Sequence, residues 1–175
     1  MGDGRAEYLA RGAPVAGDAV NGLPTWAPNV HPLLVHFPIG WWVAAVIADF
    51  VVLAFPKAAW ADSAATFLYP AGAVAAAFTY LTGRQAGATV LVPGMAYPIV
   101  QAHWNWALAT TISFAAIATL RVWFRLRGPL PRGLLRTALF VAALAALGSL
   151  VQTGERGARL VFERGVGVAS PPGSR

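Results

Sequence analysis

Beyond residue 30 the chain is dominated by four apolar runs separated by short polar connections. The first opens near Pro32, a residue whose fixed φ suits the first helical position, and runs to about Phe55, just ahead of Pro56. The second lies between Asp62 and Arg84, the third between about Val100 and Arg121, and the fourth between Arg136 and Glu155. Each encloses roughly the 17 to 25 residues that a bilayer core demands, so the pattern predicts four membrane-spanning helices. The expected fold class is all-α, an integral membrane four-helix bundle over residues 31–153. An irregular Gly- and Pro-rich tail over residues 1–30 precedes it. A C-terminal tail over residues 154–175 follows, part of which is expected to fold on the outer face. The charged start is followed by no apolar core or small-residue cleavage site, so it does not read as a signal peptide.

Composition sharpens this picture. Of 175 residues, 57% are hydrophobic and only 11% charged, where a soluble domain carries about a quarter charged residues. With no cysteine there are no disulfides, thiolate metal sites, iron-sulfur clusters or covalent c-type haem. The net charge of +6 falls in connections beside the apolar runs, where it sets topology or meets anionic lipid, so nucleic acid is not an expected partner. Arg121, Arg125, Arg127, Arg132 and Arg136 cluster around the third connection and Lys57 sits in the first, which places that side in the cytoplasm and both termini outside. Arg84, Arg156, Arg159 and Arg164 on the other side argue against that orientation.

Small residues at helical spacing predict packing faces: Gly72, Ala76, Thr79 and Gly83 on the second helix, and Ala138, Ala142, Ala145 and Ser149 on the fourth. Pro70 is expected to kink the second helix.

The chemistry concentrates in three histidines. His31 and His36 open the first helix in "HPLLVHFPIG", and His103 opens the third in "QAHWNWALAT". The first and third helices run in the same direction, so all three lie toward one face, the outer one. His36 and His103 each lie roughly 5 Å below the start of their helix, at matching depths. One turn below them stand Gly40 and Ala107, which leave space under both imidazoles. A haem iron accepts two neutral imidazoles, and bundle cores build cofactor sites from facing helices. This pattern predicts haem b with His36 and His103 as metal ligands, Gly40, Ala107, Gly83 and Ser149 as walls, and Trp104 with its neighbouring tryptophans shielding the edges. His31, about 140° round an ideal helix from His36, is expected to fold over the site. Two other readings remain open: a copper or zinc site using all three histidines, and a structural polar cluster.

Asp49 is the only acid well inside a span, about 20 Å below His36 and on nearly the opposite face. The favoured reading is a partner for Arg121 or for Thr110 or Thr111; the alternative is a proton-relay carboxylate. The final "GERGARLVFERGVGV" carries glycines around Leu160, Val161 and Phe162 and is expected to fold back against the outer mouth. A faint internal echo is present, since both odd helices open with His followed by Trp and both even helices are Ala-rich.

On "HPLLVHFPIG", the His heading the third helix and "ARLVFERGVGV", the chain from Asn29 to Val168 resembles the DUF2231 family of bacterial four-helix membrane proteins. That resemblance implies the membrane fold, the bacterial cytoplasmic (inner) membrane, and importance for His31, His36 and His103. It implies no activity. Members of that family often carry a His where this chain has Arg164.

The functional expectation is a haem b subunit in the lipid bilayer that passes electrons at the outer, periplasmic face to redox protein subunits of a larger respiratory or dehydrogenase assembly. The alternatives are a non-catalytic scaffold or anchor subunit and the three-His copper or zinc site. An electron-transfer or anchor subunit fits better than a stand-alone enzyme, and an oligomer is compatible with either. No catalytic residue is assigned.

Overall fold

The computed structural model describes residues 29–90, 92–128 and 133–167. The expectation of an irregular tail before residue 29, and the extreme C-terminus after residue 167, lie outside the described residues. A short helical turn, His31–Leu34, leads into α1 (His36–Ala54). α2 (Ala59–Thr89), a 3-10 turn at Gly94–Ala96, α3 (Tyr97–Arg127) and α4 (Leu134–Phe162) follow. No strand occurs among the described residues. All four helices are long and apolar enough to cross a membrane.

Several helices outrun their apolar windows. α2 continues past Arg84 to Thr89, and α4 continues past Glu155 to Phe162, so most of the described segment over residues 154–167 is helix. The helix then ends on Gly165 at φ +62°, whose N–H donates to the Val161 carbonyl, while the Val166 N–H reaches the Leu160 carbonyl. Val166 packs against Ala96, Val100 and Leu160, a small apolar cluster that holds the end of α4 on the turn before α3. Positive φ at Gly165 and Gly167 is a conformation that glycine adopts without the Cβ penalty.

Pro38 explains the break at Val35. It has no N–H to offer the Leu34 carbonyl, and the Thr79 hydroxyl on α2 lies 3.3 Å from that oxygen instead, sharing its proton with the Ala75 carbonyl at 2.8 Å. Pro70, by contrast, sits inside an unbroken α2.

Each helix packs on its chain neighbours, and α1 also touches α4, so α1 and α3 stand diagonally across the bundle. They meet through side chains: the Trp42 and Phe114 rings stack at 4.1 Å, both buried. Ala45, Ala61, Ala65, Ala143 and Ala146 surround this stack, and their small size lets the helices close. On α2 the small-residue face is the expected one, with Gly72 and Ala76 buried. On α4 it lies one position over from the expected stripe. Leu139, Ala143 and Ala146 are buried, whereas Ala138, Ala142 and Ala145 are exposed, because the helix turns its Arg136 face inward. Large apolar side chains such as Phe50, Phe67, Phe78 and Ile112 cover the outside, as lipid-facing surface requires.

The faint internal echo is a structural repeat. Residues of α3 occupy the environments of α1 residues 72 positions earlier: Trp42 matches Phe114, Ala45 matches Ile117, Val46 matches Ala118, and all are buried. Residues of α4 match α2 residues 74 positions earlier: Ala65 with Leu139, Tyr69 with Ala143, Gly72 with Ala146, Ala86 with Leu160, again all buried. The bundle is two parallel helical hairpins related by an approximate two-fold along its axis.

Candidate functional site

At one end of the bundle this repeat sets two histidines in equivalent positions, and they are not the pair expected from helix depth. His31 precedes α1 on its short turn, anchored where its own N–H meets the Asn29 side chain at 3.1 Å. Its ring crosses to α2, where Nδ1 lies 3.1 Å from the Thr79 carbonyl. His103 of α3 does the same in the second hairpin, with Nδ1 3.0 Å from the Thr153 carbonyl of α4. Both rings are half-buried. His31 and His103 are 72 residues apart, and Thr79 and Thr153 are 74 apart, the offsets of the repeat.

The walls match too. A methyl group at Gly83, one turn beyond Thr79, would stand 2.8 Å from His31 Cε1, and one at Gly157, one turn beyond Thr153, would stand 3.2 Å from His103 Cε1. Each imidazole therefore sets its Nδ1–Cε1 side close against a glycine of the neighbouring helix. A carbonyl can only accept, so each Nδ1 must be the donor, which fixes the tautomer and leaves each Nε2 with a free lone pair. Histidines that bind metals are oriented in this way.

The other expected site residues fall elsewhere. His36 is exposed, and its Nδ1 lies 3.3 Å from the Leu33 carbonyl of its own turn. Gly40 is exposed with nothing within 4 Å of an added Cβ, so it walls no cavity. The physical reason is the start of the helix: with α1 proper beginning at His36, the ring that faces the neighbouring helix is His31, on the turn before it. The structure therefore does not bring His36 to His103. Ala107 is half-buried one turn from His103. Trp104 packs on Gly87 of α2, 2.8 Å from an added Cβ there, with the Arg84 guanidinium 4.0 Å from its ring centre. Arg156 stands 5.3 Å over Trp106 and 3.5 Å from Glu155. Among the described residues, no group of three or more His, Cys, Asp or Glu side chains gathers as a metal cage, so the three-histidine arrangement does not form.

The far end holds charges. Asp49 pairs with Arg121 at 2.6 Å and accepts the Tyr69 hydroxyl at 2.8 Å, all three buried. This is the partner reading of Asp49. Arg121 also lies 3.8 Å from Asp62, and Arg136 lies 2.9 Å from Asp62. The Trp42 indole N–H, 3.4 Å from the Tyr69 carbonyl, lies between the two ends.

His31, His103 and the small residue Gly83 were legible in the sequence, and Thr79 was legible only as part of a packing face; the roles of Thr153 and Gly157 were not. The signal was present as Thr-x-x-x-Gly in both even helices, at Thr79–Gly83 and Thr153–Gly157.

A family model described as a predicted membrane protein, DUF2231, matches residues 27–170. No curated protein and no solved structure matches the chain.

Proposed function

The chain belongs to the DUF2231 family of membrane proteins, and from the geometry of its histidine end we propose that it is a b-type haem-binding subunit in which His31 and His103 would hold the iron. The observation that carries this reading is the symmetric pair of imidazoles on diagonal elements of one bundle. Each is locked by a backbone carbonyl at Nδ1, and each has Nε2 free. Two neutral imidazoles are the donor set of low-spin b-type haem, and a pair falls short of the cage that zinc takes. Gly83 and Gly157 make room for the imidazoles, since a Cβ at either would press on the ring and shift it off its carbonyl.

Bound there, haem would supply one-electron redox chemistry. The chain's own residues hold and tune: Thr79 and Thr153 orient the rings and raise their basicity through the Nδ1–H bonds, and Arg84 and Arg156 place positive charge at the mouth. The bundle shields the site from one side of the membrane. With the arginine cluster in the cytoplasm by the positive-inside rule, the histidine end faces the periplasm of a bacterial inner membrane, where redox subunits would dock.

Reduced-minus-oxidised spectra test the reading, using protein expressed with haem supplied and purified in mild detergent. We expect a low-spin b-type spectrum in the parent and in His36→Ala, and loss or conversion of that spectrum in His31→Ala and His103→Ala. A parent without haem overturns the reading. Loss in His36→Ala with retention in His31→Ala overturns the ligand assignment.

A further inference from the structure

The charged end obeys the same two-fold as the histidine end, with one difference. Asp49 of α1 and Arg121 of α3 are 72 residues apart, and Asp62 of α2 and Arg136 of α4 are 74 apart. These are equivalent positions of the repeat, and each pair of equivalents forms an ion pair, at 2.6 Å and 2.9 Å. Of the charged groups in these ion pairs, the first hairpin thus contributes the carboxylates and the second the guanidiniums. Elsewhere in the core no other pair of equivalents carries opposite charge; Trp42 matches Phe114 and Gly72 matches Ala146.

We propose that these four residues are a pairing code, in which the acidic face of the first hairpin recognises the basic face of the second and excludes a copy of itself. Two first hairpins brought together about the same two-fold would set four carboxylates against one another. Two second hairpins would oppose four guanidiniums. In this layer, which is largely buried, like charges at such distances are strongly repulsive. Lipid supplies no hydrophobic preference for one helix partner over another, so specificity must come from packing shape and polar contacts. Arg121 makes one hydrogen bond, from Nη1 to Asp49, while its Nε and Nη2 are buried with no hydrogen-bond partner, so the two acids beside it are what balance its charge. The partner fitted by each face is therefore the opposite hairpin, and the short connection from Val90 to Tyr97 favours the one in the same chain. This inference is independent of the haem reading.

Charge exchange tests it in the full chain. The Tyr69 hydroxyl, which has no counterpart at Ala143, bonds the acid at position 49, so every variant carries Tyr69→Phe and is compared with that parent. Asp49→Arg with Asp62→Arg makes both hairpins basic, and Arg121→Asp with Arg136→Asp makes both acidic. The readouts are yield and mass of the detergent-purified protein by size-exclusion chromatography with light scattering. Either double variant should lose the monodisperse monomer. The fourfold exchange, which restores unlike pairing with the signs reversed, should recover at least half of the parent yield as monomer. Because the exchanged layer is not perfectly symmetric, the two double variants are also co-expressed, where the basic hairpins of one chain can meet the acidic hairpins of the other; a one-to-one heterodimer absent from either alone is the expected product. Recovery in either arm sustains the code. Parent-like monomer from either double variant overturns it, and so does failure of both recovery arms.

Discussion

Gly72→Ala adds one methyl group where the bundle has no room for it. The added Cβ would stand 2.5 Å from Cδ1 and 3.1 Å from Cε2 of the Trp42 indole, where carbon atoms rest comfortably at about 3.5–4.0 Å. The indole would have to retreat by about 1 Å, and it is held on its other side by Phe114, stacked at 4.1 Å, with Tyr69 beyond at 6.1 Å from Phe114. Overpacking of this kind costs about 1–3 kcal/mol. Displacing the indole also strains its N–H bond to the Tyr69 carbonyl, worth about 1 kcal/mol. The higher helix propensity of alanine returns up to about 1 kcal/mol. A net loss of about 1–3 kcal/mol remains, equivalent to roughly a 5- to 150-fold shift in the unfolding equilibrium. The assay is unfolding in mixed detergent micelles followed by tryptophan fluorescence. Gly148→Ala, at an exposed position with nothing within 4 Å, serves as the neutral control. Trp42→Phe in the Gly72→Ala background should recover part of the loss, because the smaller ring vacates the collision. A Gly72→Ala protein as stable as its parent refutes the reasoning, and so does a Trp42→Phe that gives no relief.

Three further outcomes follow from the structure. Gly83→Ala, with its Cβ 2.8 Å from His31, should displace that ring from the Thr79 carbonyl more than Gly157→Ala displaces His103, which has 3.2 Å; ¹⁵N imidazole spectra should show the Nδ1–H tautomer lost first at His31. Gly165→Val with Gly167→Val should destabilise the end of α4 by about 1–2 kcal/mol per residue, through the left-handed backbone at φ +62° and +74°, and protease should then cut there faster. A cysteine at Arg127 should be shielded from an impermeant reagent added outside cells while one at Gly94 reacts, and the reverse pattern would invert the proposed topology.

The apolar runs by themselves determined four helices, because in lipid every backbone group must be satisfied within its own segment and length then leaves one solution. Asp49 was likewise legible as a partner for Arg121, since a lone carboxylate inside a span needs a cation and few were available. What the sequence could not determine was which histidines meet. Matching depth pointed to His36, but depth fixes only one coordinate; azimuth depends on where the helix starts, and the Pro38 break with its rescue by Thr79 left His31 facing α2 and His36 facing outward. The same holds for α4, where a stripe of alanines at 138, 142 and 145 looked as good a packing face as the buried one until Arg136 and Asp62 set the helix's rotation. The repeat was hidden for a physical reason as well. Its halves are kept by burial and by complementarity across an axis, and complementarity puts Asp opposite Arg, so the residues that tie the hairpins together are the ones that make their sequences look unrelated.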